Sequence, residues 1–264
     1  MTMDKAVNLG FNSRRVLVVE DVVMNQVLAR HIMESWGFLV EVASNGKEAL
    51  NRLDSTFYDI ILMDIQMPEM DGIETARRIR KLGDRQKALI PIIALTANTL
   101  ASEQKMYSEA GMNDCLAKPF DENGLFAITN KWIKADEQTL PAEDLDESYE
   151  DDQLYNLTMV RAISGGDEDF VKRMMALFLE TMPATIDELK SATAKADWKQ
   201  VGKQAHKMKS TIDSMAIANL KEIIRKVELN GRNLEDTDTI PADVELIIGR
   251  MEKCLQQVKK DFQL

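Results

Sequence analysis

Four apolar runs in the first half of the chain each end in a polar residue. They are Val16 to Val19 before Glu20 and Asp21, Ile60 to Met63 before Asp64, Ile92 to Leu95 before Thr96, and Cys115 to Ala117 before Lys118. Strands apolar throughout belong in a parallel sheet covered on both faces, and the ligand site of such a sheet lies off its carboxyl ends, near the topological switch point. The four run ends are expected to meet there. Three carboxylates, one hydroxyl and one ammonium then share a crevice. Carboxylates this close cannot all ionise cheaply without a cation, and a hard divalent ion such as Mg²⁺ is the expected partner.

A second candidate lies in the other half. Val201, Ala205, Met208, Ile212 and Met215 recur at alternating steps of four and three residues, the spacing of a buried helical seam. His206 follows a seam residue, and one residue is about 100° of turn, so its ring is expected at the edge of the stripe with a nitrogen accessible. Gly202, Lys203, Lys209 and Ser210 share its face, one turn above and below. Small residues there would leave room for another protein's acidic crevice, and two ammonium groups would offset a phosphoryl charge. That is the setting of a phosphorylatable histidine. His31 has no such surroundings, and a structural role is expected for it.

The elements that would position these residues differ between the halves. Strand patterns cover Arg15 to Val19, Leu39 to Ala43, Asp59 to Met63, Leu89 to Leu95 and Asp114 to Ala117. Helical patterns between them run from about Asn25 to Trp36, Lys47 to Leu53, Gly72 to Lys81, Ala101 to Ala110 and Asp121 to Lys134. Five βα units give an α/β doubly wound, five-stranded parallel sheet. After residue 152 no strand signal remains. Helices are expected from about Asp152 to Ile163, Asp167 through Pro183 to Ala194, Asp197 to Met215, Asn219 to Leu229 and Ala242 to Phe262, punctuated by Gly165, Gly166 and Gly231. The expected product is an all-α antiparallel four-helix bundle.

The charge map marks the boundary. Net charge is −11; residues 135–152 carry nine acidic and no basic residues, while the flanking segments are close to neutral. That run has no amphipathic period and is expected to self-repel as an extended linker, which at eighteen residues could span up to ~60 Å. The expected domains are 12–134 and 153–264. Neither is basic enough for phosphate neutralisation, so nucleic acid is not an expected partner. No apolar run near eighteen residues or signal-type leader occurs in the chain, so no membrane insertion is expected and a cytoplasmic location is the simplest expectation. Cys115 and Cys254 form no disulfide framework or metal motif, and Cys115 reads as a small buried hydrophobe.

Taken together, VLVVEDVVMNQ, DIILMDIQMPEMDGIE, PIIALTAN and GMNDCLAKPF resemble the four signatures of response-regulator receiver domains, in family order and spacing. The resemblance implies that Asp64 accepts a phosphoryl group and that Glu20 and Asp21 hold Mg²⁺ with Asp64 and the backbone carbonyl of Gln66. It implies that Thr96 and Lys118 contact the phosphoryl oxygens. The residues suit that chemistry, since a carboxylate can form an aspartyl-phosphate while a cation and an ammonium neutralise the transferred charge. A haloacid-dehalogenase-type phosphatase would need a second Asp where this chain has Gln66, and a flavodoxin-like binder would find Glu20 and Asp21 repelling its flavin phosphate. Val22 and Cys115 depart from the receiver pattern, which more often has Asn and an aromatic residue there. DIQMPEMDG with ALTAN is more similar to receivers attached to hybrid histidine kinases than to those of transcription factors. Gln66 and Asn98 offer amides but no general base to an attacking water, so slow self-dephosphorylation is expected.

The segment QAHKMKS with the helices before it resembles histidine-containing phosphotransfer domains over about residues 153–264; Met208 and Ser210 stand where that family has Leu and Gly, and Gly202 is expected to compensate sterically for Ser210. The implied function is a phosphorelay. A sensor histidine kinase phosphorylates Asp64, the group passes to His206 with Lys209 beside it, and a downstream response-regulator receiver collects it. Nothing in the chain resembles the ATP-site boxes of a kinase, so self-phosphorylation from ATP is not expected. The alternatives are a receiver that gates a protein-binding bundle in which His206 is not phosphorylated, and a carboxy-terminal fragment of a hybrid histidine kinase.

Overall fold

The computed structural model describes residues 11, 13–96, 101–133, 154–217 and 219–264, with residues 101 and 102 described by backbone alone. The expected linker 135–152 and Asn98 lie outside the described residues. The chain divides into two units, Met1–Asp144 and Leu145–Leu264.

In the first unit, short, largely apolar runs form β1 (Arg15–Val19), β2 (Leu39–Ala43), β3 (Ile60–Asp64), β4 (Ile92–Thr96) and β5 (Asp114–Ala117). β3 and β4 are buried at every position and β1 at all but its first, as central strands covered on both faces must be. The sheet is parallel throughout, in the order β2-β1-β3-β4-β5. The chain therefore leaves β1 toward one edge and returns to β3 on the other side, so the switch point lies between β1 and β3. Register sets the strand ends level there: Val19 pairs with Met63, Asp64 with Leu95 and Thr96 with Ala117.

The crossovers are α1 (Val23–Ser35), α2 (Gly46–Ser55), α3 (Gly72–Arg80), a short α4 (Arg85–Ala88), α5 (Ala101–Glu109) and α6 (Glu122–Trp132). Side-chain caps start four of them: Asn45 accepts from the Glu48 N–H, Asp71 from Glu74, Asp84 from Gln86 and Lys87, and Asp121 from Gly124. Gly72 opens α3 directly against β3. A Cβ there would lie 2.1 Å from the Asp64 carbonyl oxygen, so only glycine lets the loop fold back and bond its N–H to the Ile65 carbonyl at 3.0 Å.

In this unit one strand starts later than the sequence reading places it. The strand expected from Leu89 begins at Ile92, because the Asp84 carboxylate accepts from the Gln86 and Lys87 N–H groups and starts the α4 turn, leaving Leu89 two-thirds exposed.

The second unit is helical: α7 (Thr158–Ile163), α8 (Glu168–Ala194), α9 (Trp198–Ser214), α10 (Lys221–Asn233) and α11 (Ile240–Phe262). α8 packs on α9, α9 on α10, α10 on α11 and α11 back on α8, a closed ring of four joined by short connections. α8 continues through Pro183 as expected. The seam Val201, Ala205, Met208, Ile212 and Met215 is buried throughout. Gly231 does not break a helix. It lies inside α10, where a Cβ would meet Gly202 N at 2.8 Å and Trp198 O at 2.6 Å. The missing side chains let α9 and α10 touch backbone to backbone. No helix among the described residues is long and apolar enough to cross a membrane.

Candidate functional site

The switch point gathers the residues singled out above. Ligand oxygens of Glu20, Asp21 and Asp64 lie within 4.8 Å of one another. Lys118, one residue past β5, puts its Nζ 2.8 Å from Asp64 Oδ2 and 2.5 Å from Glu20 Oε2. The backbone N–H of Gln66 donates to Asp64 Oδ1 at 3.2 Å. Glu20 Oε1 accepts from the Val22 N–H and from Asn25 Nδ2, each at 3.1 Å. Thr96 ends β4 as a buried residue and its Oγ1 lies 2.9 Å from Tyr107 Oη.

The electrostatics are those of a crowded anionic site. Burial is the main cause that pushes the Glu20 carboxyl up to about 7; the Lys118 ammonium pulls it down, and Asp64 and Asp21 push it up again. For Lys118, burial favours the neutral amine, but Asp64 and Glu20 more than offset it and hold the ammonium charged. The result is an all-oxygen cluster in which added positive charge would favour the ionised form of Glu20. That donor set fits a hard divalent cation.

The second site sits between α9 and α10. His206 is half-buried at the edge of the seam, as the spacing requires. Its Nδ1 lies 2.6 Å from Glu228 Oε1, and the other oxygen of that carboxylate accepts from Lys209 Nζ at 2.5 Å. Burial alone would raise the Glu228 pKa, but the hydrogen bond and charge of His206, with Lys209, bring it below the usual carboxylate range. An ionised Glu228 accepts the Nδ1 proton. In the neutral ring this assigns the lone pair to Nε2.

Several expectations need correction here. Gly202 does not open a docking face; it is buried against α10, where its missing Cβ is what admits the Gly231 and Arg232 backbone. Lys209, expected beside His206, is buried and bound to Glu228. Lys203 is exposed on the same face. Cys115 is partly, not fully, buried against the core, while Cys254 is buried; both are free thiols.

Asn25, Tyr107 and Glu228 were not singled out from the sequence. Asn25 sits five residues past Glu20 at the start of an amphipathic helix, which is a local signal of sorts. Glu228 lies 22 residues from His206 in sequence, and no local pattern marks it.

Residues 16–130 match the family model of the response regulator receiver domain, and residues 173–261 match that of the Hpt domain. The chain is thus a receiver domain followed by a histidine-containing phosphotransfer domain. Among curated proteins it is 30% identical over 214 residues to the aerobic respiration control sensor protein ArcB of Escherichia coli (strain K12), covering 81% of this chain and 27% of that protein. It is 28% identical over 249 residues to the sensor histidine kinase GacS of Pseudomonas protegens, covering 92% of this chain and 27% of that one. The chain therefore spans about a quarter of the length of these relatives. A solved structure similar to the first unit is the receiver domain of sensor histidine kinase PA1611 from Pseudomonas aeruginosa PAO1, with magnesium ion coordinated in its active site cleft. It is 38% identical, covers 46% of this chain and 97% of that one, and has a TM-score of 0.42.

Proposed function

We propose that the chain is a phosphorelay protein in which Asp64 receives a phosphoryl group from a sensor histidine kinase and His206 passes it to a downstream receiver. The observation that carries this reading is the pairing, in one chain, of two complementary acceptors. One is a carboxylate held by Lys118 in an acidic crevice, and the other is an imidazole whose Nδ1 is held by Glu228. The domain limits that go with it are 12–134 and 153–264, joined by the acidic segment 135–152.

An Asp64 carboxylate oxygen attacks the phosphorus of a phosphohistidine; the O–P bond forms as the P–N bond breaks, and the leaving imidazole takes a proton. Lys118 already contacts Asp64, so its ammonium is in place to turn to the phosphoryl oxygens, and Thr96 supplies a hydroxyl from the next strand. Glu20, Asp21 and Asp64, with the Gln66 carbonyl, would hold Mg²⁺, which when bound supplies positive charge to the transferring group. In the second transfer Nε2 of His206 attacks the phosphorus of the acyl phosphate; the N–P bond forms as the O–P bond breaks, and the Asp64 carboxylate is the leaving group. Glu228 keeps the Nδ1 proton in place and stabilises the positive ring that develops.

The test is incubation with a labelled small phosphodonor and Mg²⁺. Wild-type protein should carry alkali-labile acyl phosphate and acid-labile phosphohistidine. Asp64→Asn should lose both, and His206→Gln only the second. Label of both kinds on either variant at wild-type level would overturn the assignment.

A further inference from the structure

Thr96 has a single hydroxyl proton, and a hydroxyl on α5 lies within hydrogen-bond reach of it. Thr96 Oγ1 and Tyr107 Oη are 2.9 Å apart in a buried contact, and the Tyr107 ring is 4% exposed, so the core fixes the pair. Tyr107 Oη in turn donates to Glu103 Oε2 at 3.3 Å, one turn earlier on the same helix. A phenol also has one proton. While that proton is on Glu103, the proton between Thr96 and Tyr107 must be the threonine's. Burial is the main cause that raises the Tyr107 pKa, and Glu103 adds to it against the effect of Thr96, so the phenol keeps its proton.

We propose that Tyr107 is a positioning residue that holds the Thr96 proton away from the crevice until Asp64 is phosphorylated. The inference rests on the reading of Thr96 as a phosphoryl contact. When the phosphoryl oxygen arrives, Thr96 turns its proton to it. Tyr107 turns its own proton to Thr96 Oγ1, and Glu103 is released. Each hydroxyl keeps its proton, and the Tyr107 bond to Glu103 is exchanged for a Thr96 bond to the phosphoryl group. The weak, partly solvated bond to Glu103 is the one given up, so the exchange favours the loaded state. Phosphorylation in the crevice thereby changes the hydrogen bonding of a carboxylate on α5.

The test is titration of the full chain with beryllofluoride, a phosphoryl mimic, in the presence of Mg²⁺. Tyr107→Phe keeps the buried ring but removes the competitor for the Thr96 proton, so affinity should rise about two- to tenfold. A residue that only supported the fold would lower affinity on removal. In a Thr96→Ala background the same change should have no effect, since the two positions act as one unit. Unchanged or lower affinity in Tyr107→Phe, or an equal gain in the Thr96→Ala background, would overturn the proposal while leaving the Thr96 contact standing. If Thr96→Ala alone left affinity unchanged, the Thr96 contact itself would be wrong and the proposal with it.

Discussion

Glu228 holds His206 from the neighbouring helix, Oε1 to Nδ1 at 2.6 Å, and its second oxygen holds Lys209. One carboxylate therefore sets the tautomer of the ring and neutralises the adjacent ammonium.

Replacing that carboxylate by an amide should impair transfer more than folding. In Glu228→Gln the amide oxygen can still accept the Nδ1 proton, but the charge that stabilises the developing imidazolium is gone, and buried Lys209 loses its counter-ion. Phosphoryl transfer to His206 should fall about tenfold or more, with a stability loss of about 1–3 kcal/mol. Labelling kinetics and thermal unfolding measure the two separately; transfer at wild-type rate would remove Glu228 from the mechanism.

The same variant gives a pH signature. Glu228 titrates below the ordinary value of 4.5 in the folded protein, so its contribution is fully present above 4.5 and is lost as pH falls through the folded value. The Tm gap between wild type and Glu228→Gln should close as pH falls below about 4.5. A gap that widened on acidification would contradict the direction of the shift.

Gly231→Ala should act on the histidine without touching it. Its Cβ would meet Gly202 N at 2.8 Å and Trp198 O at 2.6 Å, both backbone atoms that yield only if α9 and α10 separate. Overpacking of this kind costs about 1–3 kcal/mol, and it moves Glu228 away from His206. Gly249→Ala on α11 meets nothing within 4 Å and should be neutral or stabilising by up to about 1 kcal/mol. Equal behaviour of the two variants in unfolding experiments would refute the close-contact account.

Glu20 predicts an opposite pH trend for the first unit. Its folded value of about 7 lies above the unfolded 4.5, so without metal its ionised form costs stability, and that cost disappears as pH falls from about 7 to 4.5. In chelator, the receiver transition should move to higher temperature over that interval. Mg²⁺ at pH 8 should raise it without acid, by binding the folded state alone. A metal-free transition that rose with pH over the same range would count against the buried, protonatable Glu20.

The sheet and its site were legible because their signals are local. A run such as Ile60 to Met63 is apolar on both faces only if it is buried on both, and the polar residue after it then has one place to point. The histidine's position at the edge of a seam followed from helical periodicity in the same way. Glu228 and Tyr107 could not be read so, because their partners are set by packing between elements rather than by spacing along one. Gly231 was misread for a related reason. A glycine within a helix is unfavourable in isolation, and only the facing Gly202 makes the absence of a side chain useful.

The bridging carboxylate also fixes how the histidine face meets its partners in solution. With Glu228 and Lys209 cancelling, the exposed Lys203 leaves the empty face positive. Loading adds close to two negative charges and reverses that sign. Empty and loaded bundles should therefore meet an acidic receiver crevice at different rates, and rising ionic strength should slow the empty encounter and speed the loaded one. Salt screening, in this chain, reports whether the carrier is charged with its cargo.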